Sequence, residues 1–359
     1  MTTLDEPRGH MVSANGTEAE IDRVRVGVVG LGYWGPNLVR VLNEAAQSEA
    51  AWMCDLRSEM LDTLGRRFPA VRQTCDLEEM LDDDSLDAVA VVTPVSTHYE
   101  IAMRALKAGK HVYVEKPLAS SSERATDLVR VADARGLVLM PGHTFLYSPP
   151  VNCIRELIRR GDLGEIYFIS MSRVNLGLYQ SDVSVIWDLG PHDFSILLYW
   201  LDEQPSQVIS TGRACIETGK DDVAFITCKF DSGTLAHVEL SWLAPSKLRR
   251  TTVVGSNKMV VYDDCSIEPV RVYDAGVMPH DPESFGEFLK YRTGDIVSPH
   301  IESSEPLALE VEDFCCAIRL GTTPRSSAQL GVDVVRMIEA ADRSRVPDLD
   351  RSMPIRGRR

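Results

Sequence analysis

The sequence lacks any uninterrupted apolar run close to the roughly 18 residues that a membrane-spanning helix needs. It also lacks a basic surplus, because 38 Lys and Arg residues stand against 53 Asp and Glu residues, for a formal net charge of −15. Proteins that bind nucleic acids or dock on anionic membranes need clustered positive charge. We therefore expect neither a nucleic acid nor a membrane as partner.

The eight cysteines lack the spacing of a metal site, because no Cys-x-x-Cys pair occurs and Cys315 and Cys316 are adjacent. Most of the eight lie inside apolar runs, so the sequence predicts reduced core thiols in a cytoplasmic protein, with no bound metal. Residues 1–22 have neither a basic start nor an apolar segment. They are predicted to form a polar, disordered tail rather than a secretory signal.

The remaining sequence divides by its texture into two predicted domains and a second tail. Residues 23–146 alternate short β-branched runs with amphipathic helical stretches, which is the pattern of a parallel sheet covered by helices. Residues 147–345 are mostly strand-like runs with turn signals, closed by two helices, and predict an α+β domain with a large, mainly antiparallel sheet. Residues 346–359 are a short tail. The sequence leaves open whether the last helix packs back on the first domain.

A glycine-rich loop follows the first predicted strand directly and opens a helix. It reads Gly30-x-Gly32-x-x-Gly35, and Tyr33 and Trp34 lie within it. Gly30 permits a tight turn, Gly32 lets the backbone approach a pyrophosphate, and Gly35 allows close packing of helix on strand. The first domain is therefore predicted to be a Rossmann dinucleotide-binding domain, with all five residues at the cofactor.

An acidic residue ends the second predicted strand. Asp55 lies 20 residues after Gly35, where a carboxylate accepts hydrogen bonds from the adenosine ribose. The same carboxylate repels a 2′-phosphate, so the sequence favours NAD over NADP. Arg57 follows two residues later and could serve a phosphate, which weakens that preference.

Polar residues also follow the fourth and fifth predicted strands. Thr93, Pro94 and His98 come after one run, and Glu115 and Lys116 end the next. Ligands of open α/β sheets bind at the carboxyl ends of strands, so we expect these residues at the cofactor cleft. A lysine at such a position either reaches solvent or faces the cleft, and the residues alone leave both open.

Taken together, these motifs resemble the Gfo/Idh/MocA family of oxidoreductases, and the similarity covers residues 23–344. That family shows Asp-x-x-x-His at the start of a helix in its second domain. Here the segment WDLGPHDFSILLYWL has Asp188 and His192 at that spacing. The resemblance implies an NAD(P)-dependent enzyme that acts on CH–OH groups, with Lys116, Asp188 and His192 as catalytic residues.

The chemistry of alcohol oxidation agrees with this resemblance. Removing a hydroxyl proton while hydride leaves carbon needs a base, and neutral imidazole suits that role. Pro191 suits the first turn of a helix, so His192 is expected near a helix N-terminus that disfavours its protonation. Asp188 would hold the ring and Lys116 would donate to the reacting oxygen. The alternative is that Asp188 caps the helix and His192 is a surface residue.

A narrower resemblance concerns the substrate. The segments GLGYWGPNLVR, GHTFLYSPPVN and SRVNLGLYQSDVSVIWDLG resemble the family subgroup that contains UDP-N-acetylglucosamine and UDP-N-acetylglucosaminuronate 3-dehydrogenases. It implies that Tyr147, Arg173, Asn175 and Tyr179 bind the substrate, with Arg173 facing a carboxylate or diphosphate. The alternative is that Arg173 pairs with a surface carboxylate and that the two tyrosines only pack. The expected reaction is oxidation at carbon 3 of a nucleotide-linked hexose, in amino-sugar or antibiotic biosynthesis.

Three alternatives stay open at this point. The acidity of the chain would steer a polycationic aminoglycoside, and an inositol is a further candidate substrate. A non-catalytic, NAD-sensing regulator could use the same fold.

The sheet of the second domain is half apolar, and an exposed apolar sheet face is usually covered by another subunit. The sequence therefore predicts a homodimer or homotetramer.

Overall fold

The computed structural model describes residues 23–345 except 178, 180–182, 217–218 and 280–288. The tails predicted at residues 1–22 and 346–359 lie outside the described residues. No helix in the described part of the chain is long and apolar enough to cross a membrane.

The first domain is built on a six-stranded sheet in which every neighbouring pair of strands is parallel. Its strands are β1 Val24–Val29, β2 Ser48–Cys54, β3 Arg72–Thr74, β4 Ala88–Val91, β5 His111–Glu115 and β6 Leu139–Gly142. Its helices are α1 Gly35–Glu44, α2 Ser58–Gly65, α3 Leu77–Leu81, α4 Val95–Lys107 and α5 Ser122–Arg135. The strand order β3-β2-β1-β4-β5-β6 reverses between β1 and β4, which confirms the predicted Rossmann fold and puts a cleft at those strand ends.

The second domain holds an eight-stranded sheet in the order β16-β13-β12-β11-β7-β10-β9-β8. Its strands are β7 Ile166–Leu176, β8 Pro205–Arg213, β9 Val223–Phe230, β10 Leu235–Ser241, β11 Leu243–Gly255, β12 Met259–Asp263, β13 Val270–Tyr273 and β16 Ile296–Val297. A separate hairpin pairs β14 Gly276–Pro279 with β15 Leu289–Arg292. The described pairs are antiparallel except that of β7 with β10, so the sheet is mixed and mainly antiparallel, as predicted.

The helices of this part of the chain pack on one face of that sheet, except α8, which packs on the first domain. They are a 3₁₀ helix Thr144–Tyr147, α6 Pro149–Arg159, α7 Val185–Leu201, α8 Pro306–Leu320 and α9 Ala328–Arg343. Successive side chains of β10 point to opposite faces of the sheet, and they show which face the helices cover: Val238 is buried, while Leu235 on the other face is 47% exposed.

Both C-terminal helices pack on the first domain. In α8, Val311 and Phe314 belong to the core cluster around β1, and in α9, Val335 belongs to the other Rossmann core cluster. Ile338 of α9 packs in the second-domain core, so this helix joins both cores. The return of the last helix, which the sequence left open, is therefore observed. The predicted boundary between residues 146 and 147 stays a prediction.

The prediction that most cysteines fill core space is wrong for several of them. All eight are free, but only Cys54, Cys228 and Cys315 are buried. Cys153 in α6 and Cys316 in α8 are half-buried, and Cys75, Cys215 and Cys265, each within two residues of a strand end, are exposed. No group of His, Cys, Asp and Glu in the described ranges has the geometry to hold a metal ion.

Candidate active site

A cleft of about 1120 Å³ lies between the strand ends of the first domain and the second-domain sheet. It is lined by most of the residues that the sequence singled out, namely Gly30, Gly32, Tyr33, Trp34, Asp55, Thr93, Pro94, Glu115, Lys116, Asn175, Asp188 and His192. Arg57, Trp242 and Arg249 also line it. Gly35, His98, Tyr147, Arg173 and Tyr179 do not contribute to its lining.

The glycine loop has the shape of a cradle for a pyrophosphate. Gly30 has φ +93°, and a Cβ there would lie 2.6 Å from the Val92 carbonyl oxygen. A Cβ at Gly35 would collide with the Gly30 carbonyl oxygen, so α1 can begin against the turn only with glycine. At Gly32, by contrast, no atom lies within 4 Å of the Cβ position. The backbone is open there and faces the cleft beside a helix N-terminus, which fits NAD.

Two aromatic residues stand at the mouth of this cradle. The Tyr33 and Trp34 rings meet edge to face with their centroids 5.9 Å apart. Tyr33 is 76% exposed and Trp34 is 43% exposed, although both are large and apolar. Such exposed aromatic surface beside a cleft is typical of a ligand-binding wall.

Asp55 ends up where predicted, but its carboxylate already has partners. Oδ2 accepts a hydrogen bond from the Leu31 backbone N–H at 2.7 Å, and Arg57 donates to Oδ1 from its backbone at 2.9 Å and from Nε at 3.1 Å. Burial opposes the charge of Asp55, but the hydrogen bonds from Arg57 and Leu31 outweigh it and lower the pKa. Asp55 is therefore an anion, and a ribose would share it with Arg57.

His98 is buried, and both of its ring nitrogens contact backbone oxygens. Nδ1 lies 2.9 Å from the Pro117 oxygen and Nε2 lies 2.7 Å from the Thr93 oxygen. The ring thereby ties the segment after β5 to the end of β4, where Thr93 and Pro94 line the cleft. This geometry favours a positioning role over the predicted direct contact with the cofactor.

Lys116 and Asp188 are brought together across the two domains. The ammonium donates to the Asp188 carboxylate at 3.0 Å and to the Asp188 backbone oxygen at 2.7 Å. The other carboxylate oxygen accepts a hydrogen bond from the Trp242 indole at 3.0 Å. Asp188 therefore holds Lys116 rather than the imidazole of His192, which was its predicted partner.

His192 lies deeper in its helix than predicted. Since α7 begins at Val185, Pro191 is inside the helix rather than in its first turn, and the helix N-terminus does not set the charge of His192. Nδ1 is buried without a hydrogen-bond partner among the described residues. Burial and then the positive charges of Lys116 and Arg173 hold the pKa of His192 well below its ordinary value. The imidazole is neutral at neutral pH, as a general base must be.

Arg173 is committed to a buried ion pair instead of the cleft. Its guanidinium donates to Asp193 at 2.7 and 3.2 Å, and both side chains are almost inaccessible. It also lies over the Phe145 ring, 4.5 Å from the centroid, and the same ring meets His192 edge to face at 5.0 Å. The geometry thus argues against substrate binding by Arg173, because Asp193 occupies the fork that an anion would need.

The other three predicted substrate residues differ in their surroundings. Tyr147 is buried and donates to the Asp313 carboxylate of α8 at 2.7 Å, so its hydroxyl points away from the cleft. Asn175 lines the cleft at the end of β7. Tyr179 packs on Trp242 with the ring centroids 5.0 Å apart. Of the three, Asn175 retains a direct route to a substrate.

Trp242 and Arg249 were missed by the sequence reasoning. Trp242 directly follows the last residue of β10. An aromatic residue with an N–H donor at a strand end is a signal for a binding site that the sequence offered. Arg249 lies opposite Arg173 in the pairing of β11 with β7, and its guanidinium contacts the Asp264 carboxylate at 3.2 Å. No local motif marks Arg249, because strand register alone brings it to the cleft.

Comparison with known proteins agrees with this geometry. Residues 24–143 match the family model described as oxidoreductase family, NAD-binding Rossmann fold, and residues 151–261 match the GFO/IDH/MocA C-terminal domain. These two ranges together make up more than half of the 359 residues.

Individual relatives are distant but extend over most of the chain. A UDP-N-acetylglucosamine 3-dehydrogenase of Acidithiobacillus ferrooxidans is 28% identical over 82% of this chain and 88% of its own length. An NADP(+)-dependent scyllo-inositol 2-dehydrogenase of Bacillus subtilis is 28% identical over 90% of this chain and 94% of its own. The crystal structure of GenD2 from gentamicin A biosynthesis, in complex with NAD, is 26% identical, with a TM-score of 0.76 and coverage of 95% and 97%.

Proposed function

Because this chain belongs to the Gfo/Idh/MocA family of oxidoreductases, we propose that it is an NAD-dependent dehydrogenase that oxidises carbon 3 of a nucleotide-linked hexose. The observation that carries the proposal is that Lys116, Asp188 and His192 line the same cleft. It combines an ammonium donor with a neutral imidazole, the two groups that oxidation of an alcohol requires. The 3-dehydrogenase relative supports the choice of carbon.

The cofactor is proposed to lie along the strand ends of the first domain. NAD, when bound, supplies the hydride acceptor for the reaction. The open backbone at Gly32 and the N-terminus of α1 receive the pyrophosphate, and the Asp55 carboxylate accepts from the adenosine ribose. This carboxylate favours NAD over NADP, although the neighbouring Arg57 reduces the difference.

The proton is proposed to leave the substrate through His192. The imidazole is kept neutral by burial and by nearby cations, so it is ready to accept the hydroxyl proton. Lys116 donates to the substrate oxygen and stabilises the charge that develops there. Asp188 acts through Lys116, since its carboxylate and its backbone oxygen both hold the ammonium in place.

The substrate anion is proposed to meet Arg249. Its guanidinium lines the cleft and, among the described residues, donates one hydrogen bond, to Asp264, so its remaining N–H groups can serve a diphosphate or a sugar carboxylate. Asn175 lies on the same side of the cleft and offers an amide to the sugar hydroxyls.

The test is transfer of deuterium from labelled sugars to NAD. Enzyme, NAD and UDP-N-acetylglucosamine or its uronate labelled at carbon 3 should give labelled NADH, whereas label at carbon 4 should stay in the sugar. Lys116→Met should abolish transfer, while Lys107→Met, on the exposed surface of α4, should match the wild type. Transfer from carbon 4 alone would refute the assigned carbon.

Other outcomes of the same experiment separate the remaining candidates. Reaction only with an aminoglycoside would support the alternative that the chain's net charge and the GenD2 structure favour. Reaction only with inositols would follow the inositol dehydrogenase relative. Tight NAD binding without turnover on any of these compounds would instead favour a regulator.

A homodimer or homotetramer is proposed to form through the open face of the large sheet. On that face Phe168 and its cross-strand partner Leu235 are 45% and 47% exposed, and Ile209 and Phe225 of the neighbouring strands are 44% and 43% exposed. Such a patch is larger than isolated surface residues explain. The particle mass measured by light scattering should be a multiple of the 39.8 kDa chain mass. The Phe225→Glu variant should give a smaller particle mass.

A further inference from the structure

Two carboxyl groups from distant parts of the chain meet beside the proposed catalytic lysine. Glu115 ends β5, lines the cleft and directly precedes Lys116. Glu310 comes from α8 and is completely buried. The reaction chemistry described above uses neither group, and nothing about the local sequence pairs them.

The hydrogen bonds to the two carboxyl groups are unequal. The Lys116 backbone N–H donates to Glu115 Oε2 at 3.1 Å, and the Tyr113 hydroxyl lies 3.4 Å from Glu115 Oε1. Glu310 accepts from the Thr144 hydroxyl at 2.7 Å through Oε2. Its other oxygen, Oε1, has no hydrogen-bond partner among the described residues. Glu115 therefore has the environment of a carboxylate, and Glu310 that of a neutral acid.

Tyr113 connects the two acids. Its side chain is 1% exposed, its hydroxyl lies 3.4 Å from Glu115 Oε1, and burial followed by the nearby Glu115 and Glu310 raises its pKa. Gly142 in the adjacent strand leaves room for this hydroxyl, because a Cβ at that position would collide with it. The space behind β5 is thus shaped around one phenol placed between two carboxyl groups.

Charge balance decides how many protons this group holds. The nearby cation is Lys116, and its ammonium is already paired with Asp188. No salt bridge reaches Glu310 from the part of the chain that the structure describes. Two buried carboxylates without a second cation would be far too costly, so one of them must be neutral.

We propose that Glu310 holds a proton at neutral pH, so that Glu115 alone carries a negative charge. In this arrangement the Tyr113 hydroxyl donates to Glu115. Glu310 is therefore a positioning residue for the charge of Glu115. The other titratable groups that face Glu310 are Tyr147 of the 3₁₀ helix and Asp313 of its own helix, which bond to each other.

The directions of the pKa shifts agree with this assignment. Burial and then the charge of Glu115 raise the pKa of Glu310 well above its ordinary value. Burial also raises the pKa of Glu115 above its ordinary value, although the neighbouring Lys116 charge and backbone N–H offset part of this effect. The proton therefore resides on Glu310, which has no such cation beside it in the described part of the chain.

One consequence concerns the cofactor, and it rests on the proposed function of the cleft. The oxidised nicotinamide carries a positive charge and the reduced one does not. A single carboxylate at Glu115, on the cleft wall next to Lys116, favours the oxidised form. Glu115→Gln should lower the preference for NAD over NADH about fivefold or more, the effect of one unit charge a few ångströms away. Glu310→Gln should leave that preference unchanged.

The proton itself is tested without cofactor or substrate, by denaturant unfolding at several pH values. Glu310→Gln keeps the acceptor for Thr144 and imitates the protonated acid. Because folded Glu310 keeps a proton that the unfolded chain releases above pH ~4.3, the wild type loses stability as pH rises through this range. The unfolding constant of the wild type relative to Glu310→Gln should grow by up to about tenfold per pH unit. Glu312→Gln, exposed on the same helix, should behave like the wild type.

Infrared spectroscopy gives a second readout that does not depend on folding of a variant. The wild type at neutral pH should show the carbonyl stretch of a protonated carboxylic acid, and Glu310→Gln should lack it. Equal pH dependence of stability in all three proteins, or absence of the band from the wild type, would overturn the protonated state of Glu310. Loss of the NAD preference in Glu310→Gln to the same extent as in Glu115→Gln would overturn the assignment of the charge to Glu115.

Discussion

Replacing Arg173 by Met separates a buried structural ion pair from a substrate contact. Arg173 and Asp193 have side-chain exposures of 5% and 3%, and two hydrogen bonds join them. Arg173→Met leaves the Asp193 carboxylate buried and uncompensated, which typically costs about 3–5 kcal/mol. We expect a decrease of that size in the free energy of unfolding, measured by denaturant titration at neutral pH.

The double variant Arg173→Met/Asp193→Leu provides the matched control. Replacing both partners of a buried pair by apolar residues is often neutral or stabilising, so most of the loss should return. The cation at Arg173 also lowers the pKa of His192, so both variants should move the acidic limb of the pH–rate profile to higher pH. That shift should persist in the double variant, because the cation is absent from both.

Different results would support the sequence-based role of Arg173 in substrate binding. A single variant with unchanged stability, a raised KM and no rescue by Asp193→Leu would refute the structural reading. Unchanged pH–rate profiles would refute only the claim that the Arg173 cation lowers the pKa of His192. The Phe145 ring, which lies between the two groups, would then shield His192 from the guanidinium.

Three further predictions concern the cleft. Asp55→Ala should narrow or reverse the preference for NAD, measured as kcat/KM with NAD and NADP, and a wild type that uses NADP equally well would contradict the role of Asp55. Trp242→Phe removes a hydrogen bond to the Asp188 carboxylate, so kcat should fall about tenfold with NAD affinity unchanged; an unaltered kcat would show that Lys116 alone holds Asp188. The wild-type rate should rise with pH through one ionisation below neutrality, as His192 loses its proton, and His192→Asn should abolish this limb and cost about 10²–10⁴-fold in rate.

The sequence predicted well what depends on the direction of a strand. In a parallel sheet the carboxyl ends of neighbouring strands meet along one edge, so residues at those ends share a site. Gly30, Asp55, Thr93 and Lys116 each follow a recognisable strand, and all four line the cleft. Asp188 and His192 are four residues apart, and this spacing likewise predicts that both lie on the same face of a helix.

What the sequence could not supply is the partner of each polar side chain. Tyr147 bonds to a carboxylate 166 positions away, and Arg173 bonds to one that follows His192 directly. Both residues lie in segments that resemble substrate-binding ones, but their donors are taken up by partners that only the fold brings near. Arg249 shows the reverse case, since register places it in the cleft without a motif.

One helix, α7, serves both domains. Pro191 lies inside it and has no N–H to donate to the carbonyl of Trp187. One turn earlier, the Asp188 backbone oxygen accepts a hydrogen bond from the Lys116 ammonium at 2.7 Å. Directly after the proline, His192 lines the cleft while Asp193 pairs with Arg173 in the interior. The helix thus holds the lysine of one domain and the imidazole of the other in one wall.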